Sequence, residues 1–141
     1  MNDAASASNA YRLMWGLKHI EERFEAALEP IGLSLAKFGA LANLVEAGEA
    51  LPLRTLAERC ACVRSNMTQL VDRLEAEKLV VRADDPHDRR SVRAALTSEG
   101  RARHAEGVKV IRAVERELFA KLSGKRAEEM MESLRVLAGG P

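Results

Sequence analysis

The 141-residue sequence lacks most of the features that mark membrane, enzymatic or metal-binding proteins. No apolar run approaches the ~20 residues needed to cross a bilayer, so no membrane partner is expected. Neither sign of charge dominates: 22 Lys plus Arg stand against 21 Asp plus Glu, which excludes a uniformly basic surface that would bind nucleic acid by net charge alone. Cysteine is scarce, with only Cys60 and Cys62, and the three histidines, His19, His87 and His104, do not stand at metal-site spacing. No metal and no cofactor is therefore expected. A Gly-rich phosphate loop, His-x-x-x-His and Gly-x-Ser-x-Gly are all missing, and Cys-x-Cys is not the Cys-x-x-Cys of a thiol-disulfide enzyme, so an enzyme reading has no residues to stand on. There is no internal repeat and no low-complexity linker, which suits one compact domain over 1–141. The start, Met1-Asn2-Asp3-Ala4-Ala5-Ser6, has neither the basic residues nor the apolar core of a signal peptide. The chain is thus expected to be cytoplasmic, with both cysteines as thiols.

What is present is a succession of amphipathic helices. From Asn9 or Ala10 to about Leu28, Leu13, Leu17, Ile20, Phe24 and Leu28 recur at three or four residues, until Pro30 and Gly32 break the pattern. Ser34 is placed to cap a second helix reaching Ala47, with Phe38, Leu41, Ala42 and Val45 as its inner face and Gly48 as its stop. Near the C-terminus, Thr97 can cap a long helix with Val108, Ile111, Glu115, Leu118 and Leu122 along one side. Ser123-Gly124 then turns into a final helix striped by Ala127, Met130, Met131, Leu134 and Leu137.

The organising stretch runs from Leu53 to Gly100. Leu53, Leu56, Ala57 and Cys60 fall on one face of a short helix. After a three-residue corner, a second helix from about Arg64 to Lys78 buries Met67, Leu70, Val71 and Leu74 and turns Arg64, Ser65, Asn66, Thr68, Gln69 and Arg73 outward. Arg64 to Val71 contains no acid, although a helix start attracts Asp and Glu, whereas Asp72, Glu75 and Glu77 gather toward the other end. Next come a β-rich run, Leu79-Val80-Val81-Arg82, the turn residues Asp84 to Asp88, and an alternating run from Ser91 to Leu96. This is a helix-turn-helix followed by a hairpin with an arginine-bearing tip.

In these features the chain resembles the MarR family of winged-helix transcription regulators. The family's signature of an Asp, an Arg two residues on, and a later Leu-Thr-x-x-Gly is matched by Asp88-Arg89-Arg90 and Leu96-Thr97-Ser98-Glu99-Gly100. Leu70-Val71-Asp72-Arg73-Leu74-Glu75 is similar to the core of its recognition helix. Two departures stand out: Val63 takes the place of a capping Ser or Thr, and Lys78 that of a helix-ending Gly. The resemblance implies a mainly α fold with a small β wing: a winged helix-turn-helix core over 34–97, with dimerisation helices over 9–29 and 98–138. The apolar stripes at both chain ends, which lie outside that core, point independently to a homodimer.

A dimer of this kind is expected to bind double-stranded DNA at a pseudo-palindromic operator, its two recognition helices in successive major grooves. Asn66 and Gln69 suit adenine edges, Arg64 or Arg73 guanine, and Ser65 and Thr68 bases or phosphates; each taken singly is also compatible with a solvated helix surface. Arg89, Arg90 and Arg93 lie at or beside the wing tip, where Arg can enter a minor groove. The resemblance further implies that Asp88 pairs with Arg90 to stiffen the wing, leaving Arg89 to DNA, and that the protein is a repressor released by a small phenolic or other anionic effector. Met14, Trp15, His19 and Phe38 are candidates to line the effector's cleft, or simply to fill the core. Cys60 and Cys62 are read as core packing, with oxidant sensing as the alternative regulatory input. A winged-helix module that binds protein instead of DNA is the remaining alternative.

Overall fold

The computed structural model describes residues 8–60 and 64–140, which form six α-helices and a three-stranded antiparallel sheet. Helix α1 spans Asn9–Leu28, and the side chain of Ser8 accepts a hydrogen bond from the Tyr11 amide at its start. A 3-10 turn, Glu29–Ile31, follows at Pro30. Helix α2 covers Leu35–Ala47, capped by Ser34, whose Oγ accepts from the Lys37 amide at 3.1 Å, and ended by Gly48 in the left-handed region. Both boundaries are where the cap and stop residues place them. Its buried face is rotated from the expected one: Ala40, Leu41 and Leu44 are fully buried, and Ala42 and Val45 only half so. No single described helix is long and apolar enough to cross a membrane.

A short strand not foreseen from sequence, β1 at Leu51–Pro52, lies against the wing, with Leu51 opposite Ala94 and Pro52 opposite Arg93. Pro52 removes a backbone donor, which an edge strand tolerates, and the sheet order β1-β3-β2 puts β1 at an edge. Helices α3 (Leu53–Arg59) and α4 (Arg64–Ala76) make the helix-turn-helix. Strands β2 (Val80–Asp85) and β3 (Asp88–Leu96) make the wing. Helix α5 runs over Ser98–Phe119, where Thr97 caps it as predicted by accepting from the Gly100 amide, and α6 over Gly124–Leu137, where Ser123 of the expected turn is the cap, accepting from the Arg126 amide.

The core sits where α2, α3 and α4 meet the sheet. Leu28, Leu41, Leu44, Leu56, Met67, Val71, Leu74, Leu79 and Val80 are all fully buried there. Helix α5 joins this core through Val110 and Ile111, with Gly107 against Leu33 and Phe38, while Glu115, expected at the edge of its inner side, is exposed. Polar ties complete the frame: Arg103 Nη1 donates to the Ile31 carbonyl at 2.8 Å, Arg23 pairs with Glu117 at 3.0 Å, and Lys37 Nζ reaches Glu77 at 2.7 Å.

The terminal helices behave differently. Of the predicted α1 stripe only Leu28 is buried, while Leu13, Leu17 and Ile20 stay exposed, and no residue of α6 is buried. Trp15 is 57% exposed and Leu137 70%. The amphipathic pattern is real, but among the described residues much of those apolar faces stays uncovered.

Candidate nucleic-acid interface

Helix α4 presents its two faces as the periodicity requires. Met67, Val71 and Leu74 are buried, and Ser65, Asn66, Thr68, Gln69 and Arg73 are exposed. Arg64 opens the helix, its side chain lying outside the described residues, as do Cys62 and Val63. The far end turns sharply. Lys78 adopts φ 61°, and the Lys78 and Leu79 amides donate back to Glu75 and Leu74 carbonyls at 2.9 Å each, a glycine-type helix stop built on a lysine.

A residue missed in the sequence, Arg82, fixes the orientation of α4. From β2 its guanidinium pairs with Asp72 Oδ1, reaches Glu75 Oε1 at 3.2 Å and approaches the Thr68 carbonyl at 3.4 Å, while its backbone amide donates to Glu75 Oε2 at 2.9 Å. The hydrogen bond with Asp72, followed by one with Glu75, raises the guanidinium pKa above its ordinary value. The acids at 72 and 75 are thus a docking point for the wing. Their spacing of three on one helix face was the available signal, since it aims both at a single cation.

The wing carries its arginines in an irregular stretch. Pairing holds one register from Val80↔Leu96 to Asp84↔Val92 and then jumps to Asp85↔Asp88, so Arg89, Arg90 and Ser91 have no opposite residue on β2. Arg89 and Arg90 are exposed. Asp88 does hold Arg90, but through the backbone: its Oδ1 accepts from the Arg90 amide at 2.9 Å. The ion pair within the wing is instead Arg93 with Asp85, at 3.3 Å, which turns Arg93 back toward β2 instead of outward at the tip. Between wing and helices lies a cleft of about 640 Å³, lined in part by Arg54, Thr55, Thr68, Asp88 and Arg90. His87 is an exposed turn residue whose amide donates to Asp85 Oδ1.

The four residues expected to share an effector cleft separate into two places. Met14, Trp15 and His19 lie with Tyr11 and Lys18 around a shallow hollow on exposed α1, the Trp15 and His19 rings 3.9 Å apart. His19 Nδ1 donates to the Trp15 carbonyl at 2.8 Å, so in the neutral ring Nε2 is an acceptor and cannot donate to a carboxylate. Phe38 is elsewhere, stacked on His104 at 5.3 Å and close against Gly107 where α2 meets α5. Burial lowers the His104 pKa. Cys60 is half-buried against the core, with Asn43 Nδ2 at 3.5 Å from its sulfur. Among the described residues no group of three His, Cys, Asp or Glu side chains could hold a metal ion.

Comparison with known proteins agrees with this architecture. Residues 31–91 match the family model described as MarR family. The HTH-type transcriptional repressor MdtR of Bacillus subtilis is 30% identical over 119 residues, covering 84% of this chain and 74% of that one. Among solved structures, the transcriptional repressor CouR bound to a 23-mer DNA duplex superposes with a TM-score of 0.86 at 28% identity, over 94% of each chain. BpsR of Bordetella bronchiseptica, whose DNA binding is regulated by 6-hydroxynicotinic acid, gives 0.86 at 25% identity over 96% of each. These relatives are regulators and not enzymes. With its helix-turn-helix, its wing and a repressor relative matched along most of its length, the chain belongs to the MarR family of winged-helix transcriptional regulators.

Proposed function

We propose that the chain acts as a homodimer that binds a pseudo-palindromic DNA operator, represses transcription while bound, and lets go when a small aromatic or other anionic molecule binds. The observation that carries the DNA reading is the exposed, acid-free set Ser65, Asn66, Thr68 and Gln69 on a helix clamped by Arg82 to a wing with exposed Arg89 and Arg90. Arg64 and Arg73, at the two ends of that helix, complete the proposed contact surface. The similarity to CouR, solved on a DNA duplex, supports DNA as the partner.

The uncovered stripes support dimerisation. Leu13, Leu17 and Ile20 on α1 and Met130, Met131 and Leu137 on α6 are exposed, and a second copy would supply a matching cover by two-fold symmetry. The regions 9–29 and 98–138 are then dimerisation helices around the DNA-binding core 34–97. With the two α4 helices held about 34 Å apart, half-sites fall about one helical turn apart. Control by an aromatic acid is supported by the similarity to BpsR, whose DNA binding 6-hydroxynicotinic acid regulates, and the exposed Trp15–His19 stack is an aromatic surface that such a molecule could meet.

Selection of bound duplexes from a random-sequence pool tests the reading. A two-fold symmetric consensus is expected, and Gln69→Ala should lower discrimination among sites by ~1–3 kcal/mol. Recovery of no consensus, or a monomer by sedimentation, would overturn it.

A further inference from the structure

We propose that Arg93, through Asp85, is a positioning residue of the wing, locking the Arg89–Ser91 bulge in one pose without touching DNA itself. The consequence for DNA binding rests on the function proposed above; the brace does not. Three consecutive residues without cross-strand partners would ordinarily leave the tip loose. Arg93 stands two residues past the bulge, opposite Ala83, and Asp85 is the last residue of β2 before the turn. Their ion pair at 3.3 Å therefore spans the base of the bulge.

The same Asp85 oxygen accepts the His87 amide at 2.9 Å, so one carboxylate ties the turn to the far strand. The Arg93 and Asp85 side chains are only 24% and 8% exposed, which separates this pair from solvated surface pairs. Arg93 Nε is buried with no hydrogen-bond partner among the described residues, so the guanidinium depends on Asp85 for compensation. Arg89 and Arg90, by contrast, project from the bulge into solvent. A fixed bulge spares those two side chains part of the ordering that entry into a groove requires.

The test uses the full-length protein and a duplex that it selects from a random-sequence pool. Asp85→Asn and Arg93→Met should each weaken binding about three- to tenfold, with the double variant no weaker than either. The dependence of affinity on salt should stay that of the wild type, whereas Arg89→Ala should reduce the salt slope by about one. In the Asp85→Asn background Arg89→Ala should cost less than in the wild type, which mere loss of folded protein would not produce. Unchanged or tighter binding by Asp85→Asn, with a shallower slope for Arg93→Met, would make Arg93 a phosphate contact and overturn the proposal. Amide hydrogen exchange at Arg89–Ser91 in DNA-free protein decides the brace separately. Faster exchange confined to the tip of Asp85→Asn supports it, and unchanged exchange overturns it. If the wild type selects no DNA, the proposed function fails while the exchange result still stands.

Discussion

The hydroxyl of Thr97 lies 2.7 Å from the carbonyl oxygen of Lys78, and that contact joins the end of the wing to the end of α4. Thr97 Oγ1 also approaches the Leu79 carbonyl at 3.1 Å and accepts from the Gly100 amide at 2.9 Å, so one side chain starts α5 and holds the stop of α4. Gly100 completes the junction, because a Cβ there would meet the Leu79 carbonyl oxygen at 2.0 Å. The Leu-Thr-x-x-Gly motif thus clamps the start of α5 to the end of α4.

Replacing Thr97 by Val keeps the shape of the side chain and removes its hydroxyl. Both the α5 cap and the bond to Lys78 are lost, and a destabilisation of about 2 kcal/mol is expected by urea denaturation. A loss below about 0.5 kcal/mol would show that the clamp is dispensable.

Lys78 gives a prediction of opposite sign. Its φ of 61° places a β-carbon where L-residues are disfavoured, and both flanking amides are already committed to the helix stop. Lys78→Gly should stabilise the protein by about 0.5–1 kcal/mol, read as a higher urea midpoint at constant slope. Destabilisation would mean that the lysine side chain contributes more than its backbone costs.

These two residues show how much was legible beforehand. Ser34 and Thr97 announce helix starts because a cap is a contact within three residues, and Met67, Val71 and Leu74 announce a buried face because periodicity is local. The outward set on α4 follows from the same geometry. What sequence reading missed depends on elements far apart in the chain. Arg82 finds Asp72 and Glu75 only once β2 folds back on α4. Arg93 finds Asp85 only once the strand register slips by three residues, and Phe38 leaves the expected cleft for His104 because Gly107 opens α5 to its ring.

Arg82 should prove sensitive even to a change that preserves its charge. Its fork serves Asp72, Glu75 and the Thr68 carbonyl together, and the side chain is 27% exposed. A lysine ammonium is a point charge and cannot span the same acceptors. Arg82→Lys is expected to cost ~1 kcal/mol of stability and to weaken operator binding about tenfold, since α4 would lose its fixed angle to the wing. Equal affinity for wild type and variant in a gel-shift titration would show that the clamp does not set the pose of α4.

His104 makes stability depend on pH in a direction set by its surroundings. Stacked on Phe38 and partly withdrawn from water, the imidazole has its pKa lowered below the ordinary 6.5 by desolvation. The folded protein therefore binds fewer protons at this site than the unfolded chain does. The stability that His104 contributes is fully present above the unfolded value and is lost as pH falls through the lower folded value. Urea denaturation at about pH 7.5 and about pH 5.5 should show a decline in wild type that is smaller in His104→Phe, which keeps an aromatic ring against Phe38 and cannot titrate. An equal decline in both proteins would place the acid sensitivity elsewhere, and a larger decline in the variant would mean that the protonated ring is favoured over Phe38 as a cation on an aromatic face.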